Sequence, residues 1–223
     1  MRNQVAMVPS GLSDKQLEPY VQELRDLCLL ARYARSRLRE RLEEGVRGRA
    51  WYMDKVRRQE QDPNLEYGPY SGIDPYATFY ADAVVSLAAR ISRLIWPSEI
   101  RGGASAKLWA ERRSYALRAA LGIGPERIIT PGIRDSIEHY DERLDKVTRD
   151  TPESTIFRRN LTDHERPTHD AEYRARVLHV GTLNYQIGPD TVSIEDVGTR
   201  LGAVEQAANA WFSRVSGRDS SLT

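Results

Sequence analysis

The sequence has little cysteine and no long apolar run among its 223 residues. A single thiol, Cys28, excludes an internal disulfide and any metal site built from several cysteines. No apolar segment approaches the roughly eighteen residues that a membrane-spanning helix needs, and residues 1–10 lack the pattern of a secretory signal. We therefore expect a cytoplasmic protein that does not engage a membrane, with Cys28 as a buried, reduced thiol.

An excess of charge of one sign is also absent, since 33 basic and 32 acidic residues leave a net charge of +1. The composition therefore does not indicate a surface that is basic overall and binds nucleic acid. It does not exclude a local basic patch. Only four of the basic residues are lysines, a bias that GC-rich coding explains without a functional cause. An apolar fraction of 40 % is sufficient for the core of one domain.

Apolar residues recur at helical spacing in five segments of the chain. These segments begin near Ser13, Pro75, Ser105, Pro131 and Ile194. On the third segment, the expected apolar face carries Leu108, Trp109, Tyr115, Ala116 and Ala119. Two β-segments, at 177–187 and 191–194, flank the turn sequence Gly-Pro-Asp and precede the last helix. The sequence therefore predicts a mainly α fold, a four- or five-helix bundle with a small β-hairpin before the C-terminal helix.

The distribution of polar residues predicts a single domain with irregular ends. A flexible N-terminus covers residues 1–12, the helical-bundle domain covers 13–215, and a disordered tail covers 216–223. Inside the domain, a polar loop rich in turn-forming residues is expected at about 57–75, and the β-hairpin at about 176–194.

A second polar stretch, residues 150–170, is punctuated by proline and predicts at most a short helix around 154–159. It contains His164 and His169 among acidic residues, which together could form a metal cluster. No helix or strand is predicted at these histidines to hold such ligands in place. The spacing of zinc hydrolases, HExxH, is absent, as are the glycine-rich motifs of dinucleotide and P-loop sites.

Two further groups of side chains each have two interpretations. The arginines of the first helix form either a solvated face or a phosphate-binding stripe: Arg32, Arg35, Arg37, Arg39 and Arg41. Tyrosines in and after the polar loop form either a stacking surface or a set that packs the loop onto the domain: Tyr67, Tyr70 and Tyr76.

The fourth helical segment combines an arginine near its start with a histidine five positions later, Arg134 and His139. In the first turn of a helix, free N–H groups and the helix dipole favour an anion, and a guanidinium there can hold a phosphate with two hydrogen bonds. A histidine transfers protons at neutral pH. These are the components of metal-independent RNA cleavage, in which the 2′-hydroxyl attacks the adjacent phosphate, Arg134 holds that phosphate and His139 transfers protons.

The spacing of the pair limits what one helix can do. Five residues rotate a regular helix by about 500°, which leaves the two side chains about 140° apart. We therefore expect a two-fold homodimer to bring two such helices together across a cleft. The same spacing recurs at Arg159 with His164 and at Arg174 with His179, but only the first pair lies on a predicted helix.

With Asp135 directly after the arginine, residues 133–143 resemble the R-x4–6-H motif of HEPN-domain proteins, a family of helical bundles. They are also similar to the RN-x-x-EH-x-DE segments of bacterial proteins with HEPN-like bundles, and the resemblance covers at most residues 14–148. It implies a metal-independent endoribonuclease with Arg134 and His139 as the catalytic pair and Asp135 as a polar helper. No cofactor is implied.

The family resemblance also implies partners. Its members form the composite site across a homodimer and take RNA as substrate. Many are toxins or anti-phage effectors, for which an antitoxin or another protein is a partner, and others have lost catalysis and only bind or scaffold. The acidic residues of this helix oppose RNA binding, because they repel a phosphate backbone.

Two non-enzymatic interpretations stay open. Arg134 with Glu138, and Asp135 with His139, have the spacing of ion pairs along one helix, which suits a non-catalytic binding or scaffold protein. The change of composition after Asp150 suits a ligand-responsive sensor in which the hairpin and the final helix form a lid.

Overall fold

A computed structural model describes residues 11–61, 75–97, 103–150, 156–163 and 172–219. Within these residues the chain forms six helices and a small sheet that precedes the last helix. The prediction of a mainly α bundle with a small β element before the C-terminal helix is therefore confirmed. No described helix has the length and apolar character needed to cross a membrane.

Local signals in the sequence set several of the helix ends. The helices are α1 (Asp14–Gln61), α2 (Pro75–Ile95), α3 (Ala104–Leu121), α4 (Pro131–Glu138), α5 (Tyr140–Asp150) and α6 (Ile194–Asp219). Thr130 caps α4, because its side chain accepts a hydrogen bond from the backbone N–H of Ile133 at 3.3 Å. Gly122 ends α3 in the left-handed conformation, with φ 64°, that glycine adopts without a Cβ penalty.

The core lies between α1, α2 and α6, which bury their apolar faces against one another. The ion pairs Arg39–Glu195 and Arg32–Glu205 show that α1 and α6 run antiparallel, because the residue number rises on one helix as it falls on the other. Apolar side chains of all three helices are almost fully buried: Val21, Leu24, Leu38, Val84, Ile91, Ile95, Ile194, Val197 and Trp211.

Two predicted boundaries are wrong. The polar loop does not begin at about 57, since α1 continues through Gln61; the rest of that loop lies outside the described residues. The disordered tail does not begin at 216, since α6 continues through Asp219. Both helices continue beyond the residues of their buried apolar faces. Exposed polar residues with adequate helix propensity extend a helix that packing against the core already stabilises. The predicted flexible N-terminus lies outside the described residues except for 11 and 12.

The buried face of α3 also differs from the prediction. Leu108, Trp109 and Tyr115 are exposed. The buried residues are Ala110, Ser114, Ala116, Leu117 and Leu121, so Ala116 is the one member of the expected face that is buried. Small side chains let α3 approach the bundle closely, so the buried face is set by packing rather than by the largest apolar residues.

The sheet contains β1 (Ile156–Asp163), β2 (Glu172–His179), β3 (Asn184–Ile187) and β4 (Asp190–Ser193), in that order. β1 pairs with β2 in parallel, whereas β2, β3 and β4 pair antiparallel. The predicted hairpin is confirmed as β3 and β4, joined at Gly188, whose φ is 56°. The single predicted segment 177–187 is two strands. The short helix predicted around 154–159 is wrong from residue 156 onward, because pairing with β2 provides hydrogen bonds that a local reading of the sequence cannot anticipate.

Polar contacts attach this sheet to the bundle. The Tyr185 hydroxyl donates a hydrogen bond to Asp82 of α2 at 3.1 Å, and Arg176 lies 3.6 Å from the same carboxylate. Ser136 of α4 donates a hydrogen bond to Asp190 at the start of β4. The segment with the Arg–His pair is therefore held between α2 and the hairpin.

Candidate functional site

The predicted fourth helix is interrupted at His139. α4 ends at Glu138, His139 has φ −116° and ψ 30°, and α5 begins at Tyr140. The backbone N–H of His139 still bonds to the carbonyl of Asp135 at 3.0 Å, so the break is a local kink. The angle of 140° predicted between the Arg134 and His139 side chains assumes one regular helix and does not apply to this segment.

Tyr140, the first residue of α5, packs against the sheet. The guanidinium of Arg176 in β2 lies 3.9 Å from the centre of the Tyr140 ring, a cation–π contact. Ile137 and Tyr140 are partly buried, and both pack against the core. The start of α5 is thus fixed by the sheet, while α4 is fixed by α2 and β4.

His139 lies between two carboxylates on this kinked segment. Its Nδ1 is 3.2 Å from a carboxylate oxygen of Glu142, and its Nε2 is 3.8 Å from Asp135. The imidazole is 35 % exposed and the Asp135 side chain 56 % exposed, so solvent and a ligand reach both. A carboxylate next to one ring nitrogen fixes the orientation of an imidazole.

Arg134 has a more enclosed position than the sequence suggests. Its side chain is only 12 % exposed, and its Nε lies 3.7 Å from Glu138. That distance is too long for a hydrogen bond, and Nε is buried without a hydrogen-bond partner among the described residues. Glu138 in turn contacts Arg93 of α2. The guanidinium therefore lies against α2 and is partly neutralised by its own helix.

The structure does not bring Arg134 and His139 into contact with each other among the residues it describes. Arg134 faces Glu138, whereas His139 faces Glu142 and Asp135. All three predicted site residues lie within or next to α4, but any joint action on one phosphate requires a group from elsewhere. Glu142 is a neighbour of the histidine that the sequence reading did not assign to the site, although its i,i+3 spacing was a usable signal.

A narrow depression next to Arg134 was also missed. It lies between the end of α2 and the start of α4 and is lined by Ser92, Trp96, Arg127, Ile129, Thr130, Pro131 and Arg134. Ser92 Oγ, Trp96 Nε1 and Arg134 Nε are buried, and none of them has a hydrogen-bond partner within the described part of the chain. No sequence spacing links residues of α2 to α4.

Three other groups of candidate residues were predicted: the arginines of α1, the tyrosines of the polar loop and the histidines of a metal cluster. Arginines on the outer face of α1 pair with carboxylates, as in Arg35–Glu195 and Arg41–Glu44, which favours the solvated face over a phosphate stripe. Tyr76 is exposed and stacks against Arg41. The remaining residues of the tyrosine and metal hypotheses lie outside the described residues: Tyr67, Tyr70, His164 and His169. Elsewhere in the described chain, no group of three or more potential metal ligands occurs.

The chain matches no protein-family model, no curated protein and no solved structure. The resemblance to HEPN-domain proteins therefore rests on residues 133–143 and stays a prediction.

Proposed function

We propose that the protein is a HEPN-like, metal-independent endoribonuclease that acts as a homodimer, with Arg134, His139 and Asp135 at its site. The observation that supports this proposal most directly is the position of His139. Its imidazole is solvent-accessible at a helix kink, with Nδ1 3.2 Å from Glu142 and Nε2 on the side of Asp135. A histidine oriented by carboxylates is the usual arrangement of a general acid–base group.

In the proposed reaction, the 2′-oxygen of a ribose attacks the adjacent phosphorus. The bond from phosphorus to the 2′-oxygen forms as the bond to the departing 5′-oxygen breaks, which leaves a 2′,3′-cyclic phosphate and a 5′-hydroxyl. His139 accepts the proton of the 2′-hydroxyl or donates a proton to the 5′-oxygen. Asp135 and Glu142 hold the imidazole and offset the charge that it gains.

Arg134 supplies positive charge to the phosphate oxygens in this scheme. RNA would have to compete with Glu138, which lies 3.7 Å from Arg134 Nε. Because Arg134 and His139 point to different carboxylates, a second copy is needed to complete the site, with the arginine of one chain opposite the histidine of the other. A role as a toxin or anti-phage effector, held in check by an antitoxin or another protein, is the cellular setting that fits this chemistry.

The test is RNA cleavage by the purified protein and three variants. Wild type should yield fragments with 2′,3′-cyclic phosphate ends, and EDTA should not reduce the rate. His139→Ala and Arg134→Ala should lower the rate by at least about a hundredfold, the usual contribution of a general acid–base group or a preorganised charge. His179→Ala is the matched control, since it removes the histidine of another R-x4-H match and should cleave as wild type does.

Two results would contradict the proposal. One is the absence of cleavage by folded wild type on total RNA, together with normal growth of cells that express it. The other is equal cleavage by wild type and His139→Ala, which would point to a contaminating nuclease.

A non-catalytic binding or scaffold role is the alternative, and exposed apolar side chains favour it. Leu29, Leu30 and Tyr33 are exposed on α1, and Leu108 and Tyr115 on α3. Light scattering after size exclusion would compare wild type with Leu30→Asp and with Leu108→Asp. This role predicts an oligomer that one of the substitutions dissociates, with no cleavage of RNA by any of the three proteins.

A further inference from the structure

The last part of α1 extends past the two helices that cover the rest of it. Arg39 contacts Glu195 in the first turn of α6, and Arg41 stacks against Tyr76 in the first turn of α2. Both of these helices run back antiparallel to α1 from there. Residues 43–61 therefore continue α1 by about 28 Å beyond the start of α2 and α6, and we call them the α1 extension. None of its described apolar side chains belongs to the hydrophobic core or packs against it.

One face of the α1 extension continues the face that α6 covers earlier in α1. Residues seven apart lie on nearly the same side of a helix. Four residues of α1 form such a series: Arg32, Arg39, Val46 and Met53. The two arginines contact glutamates of α6. Val46 and Met53 lie beyond the start of α6 and are 61 % and 45 % exposed, and Ala50 between them is exposed as well. The extension thus has an apolar row in the position where a further antiparallel helix would pack.

Charged residues along one edge of this apolar row have an order of signs that suits a second copy of the chain. Four exposed residues follow that edge at steps of four, seven and four: Glu43, Arg47, Asp54 and Arg58. Within the chain, Arg47 lies 4.0 Å from Glu43, and Arg58 lies 2.8 Å from Asp54. The order of signs is negative, positive, negative and positive. Reversal of the helix direction therefore brings opposite charges to the same level.

An antiparallel pair of extensions, with a two-fold axis near residues 50–51, satisfies this charge order. Glu43 then lies level with Arg58 of the second copy, and Arg47 lies level with Asp54 of the second copy. The two-fold axis repeats both contacts, so four contacts between opposite charges flank the apolar rows. A parallel pair would place each charge beside its own copy, and like charges repel. The length also matches, because each extension covers a stretch as long as the one that it exposes.

We propose that the α1 extensions of two copies pair antiparallel along these exposed faces and form a homodimer. Val46, Ala50 and Met53 of both copies are then buried between the two helices, and the charged residues close one edge. Two helix faces of this length bury less area than a standard protein interface, so we expect a dissociation constant in the micromolar range. The interface needs no residue of α4. Its test measures assembly rather than RNA cleavage, so this proposal and the proposed nuclease can fail separately.

Sedimentation equilibrium of the full-length protein tests the apolar part of the interface. The mass of wild type should rise from 25.4 kDa toward twice that value as the concentration increases to about 100 µM. The double variant Val46→Asp with Met53→Asp should raise the dissociation constant at least about tenfold, because carboxylates replace apolar groups in the interface. Leu30→Asp is the matched control, since Leu30 is exposed on α1 but lies outside the extension, and it should associate as wild type does. Circular dichroism checks that the variants keep the fold.

Exchange of two charges tests the antiparallel direction. Arg47→Glu and Asp54→Arg should each raise the dissociation constant by about fivefold or more, because two symmetric attractive contacts become repulsive. The double variant Arg47→Glu with Asp54→Arg should restore association, since the two positions again carry opposite charges across the interface. The double variant loses the pairs with Glu43 and Arg58 inside the chain. Its recovery therefore cannot come from contacts within one helix.

Three results would overturn the proposal. One is a monomer at every concentration up to about 100 µM. Another is a dimer that the Val46 and Met53 double variant leaves intact, or that Leu30→Asp dissociates to the same extent. The third is a charge exchange in which neither single variant weakens the dimer or the double variant does not recover it, because the two extensions then do not pair antiparallel along this edge.

Discussion

The hydroxyl of Tyr185 donates a hydrogen bond to Asp82 at 3.1 Å and thereby joins the third strand to the second helix. Tyr185 is fully buried. We expect Tyr185→Phe to lower the free energy of unfolding by about 1–2 kcal/mol, because the ring stays in place while one buried hydrogen bond to a charged group is lost. Urea unfolding followed by circular dichroism measures this change.

A matched control for Tyr185 is available on α3. Tyr115→Phe removes the hydroxyl of an exposed tyrosine and should change the free energy of unfolding by less than about 0.5 kcal/mol. Equal effects of the two substitutions would mean that the bond between Tyr185 and Asp82 does not stabilise the fold.

Alkaline pH should destabilise the protein through two buried acids. Burial, reinforced by the charge of Glu205, raises the pKa of the Cys28 thiol from 9.0 to about 12. Burial next to Asp82 likewise raises the pKa of Tyr185 above its usual 10.0. In the window between the unfolded and folded pKa values, the unfolded chain releases a proton that the folded chain keeps. Stability is therefore complete below about pH 9 and falls by about 1.4 kcal/mol per pH unit above it for Cys28 alone.

Denaturant unfolding at a series of pH values, from about 8 to about 10.5, tests this slope. Cys28→Ala lowers stability at every pH because it leaves a small cavity, so the slope rather than the absolute value is compared. The variant should show a shallower decline than wild type above pH 9. Parallel curves for the two proteins would exclude Cys28 as a source of the alkaline effect.

Two glycines of α6 should respond differently to substitution by alanine. No atom outside the local backbone lies within 4 Å of a Cβ added at Gly202, so Gly202→Ala should raise the free energy of unfolding by about 0.5–1 kcal/mol. A Cβ at Gly198 would lie 2.7 Å from Cδ of Arg35, whose guanidinium is 3.8 Å from Glu195. Gly198→Ala must displace Arg35, and we expect it to be less stable than Gly202→Ala.

Melting temperatures of the two glycine variants and wild type give this comparison. Similar gains in both variants would indicate that the Arg35 side chain moves aside without loss, and that its ion pair contributes nothing measurable.

Local chemistry made much of the helical framework predictable. Thr130 followed by proline begins α4, and Gly122 ends α3, because caps and left-handed glycine satisfy helix ends with residues nearby in sequence. In α6, Val197, Leu201 and Ala208 recur at helical spacing, and all three lie in the core.

Features that depend on distant residues were not predictable in this way. No proline or glycine marks the kink at His139, and the contact of Tyr140 with Arg176 that accompanies it comes from a strand more than thirty residues later. The sequence did indicate that Glu138 partly neutralises the charge of Arg134, because the two residues have i,i+4 spacing on one helix. The neighbouring Trp96 and Ser92 come from α2, and only the folded chain brings them to α4.

Substitution of Glu142 tests whether His139 belongs to a catalytic site or only to a surface ion pair. If His139 transfers protons, the carboxylate 3.2 Å from its Nδ1 is a positioning residue. Glu142→Gln keeps the size of the side chain and removes its charge, so it should lower kcat for RNA cleavage by about 10- to 100-fold and leave KM unchanged. Its free energy of unfolding should change by less than about 1 kcal/mol, because the pair is exposed. Asp145→Asn, which neutralises an exposed carboxylate on the same helix, is the matched control and should cleave as wild type does. An unchanged kcat in Glu142→Gln would show that the histidine does not depend on this carboxylate, whereas a rise in KM alone would assign Glu142 to RNA binding instead.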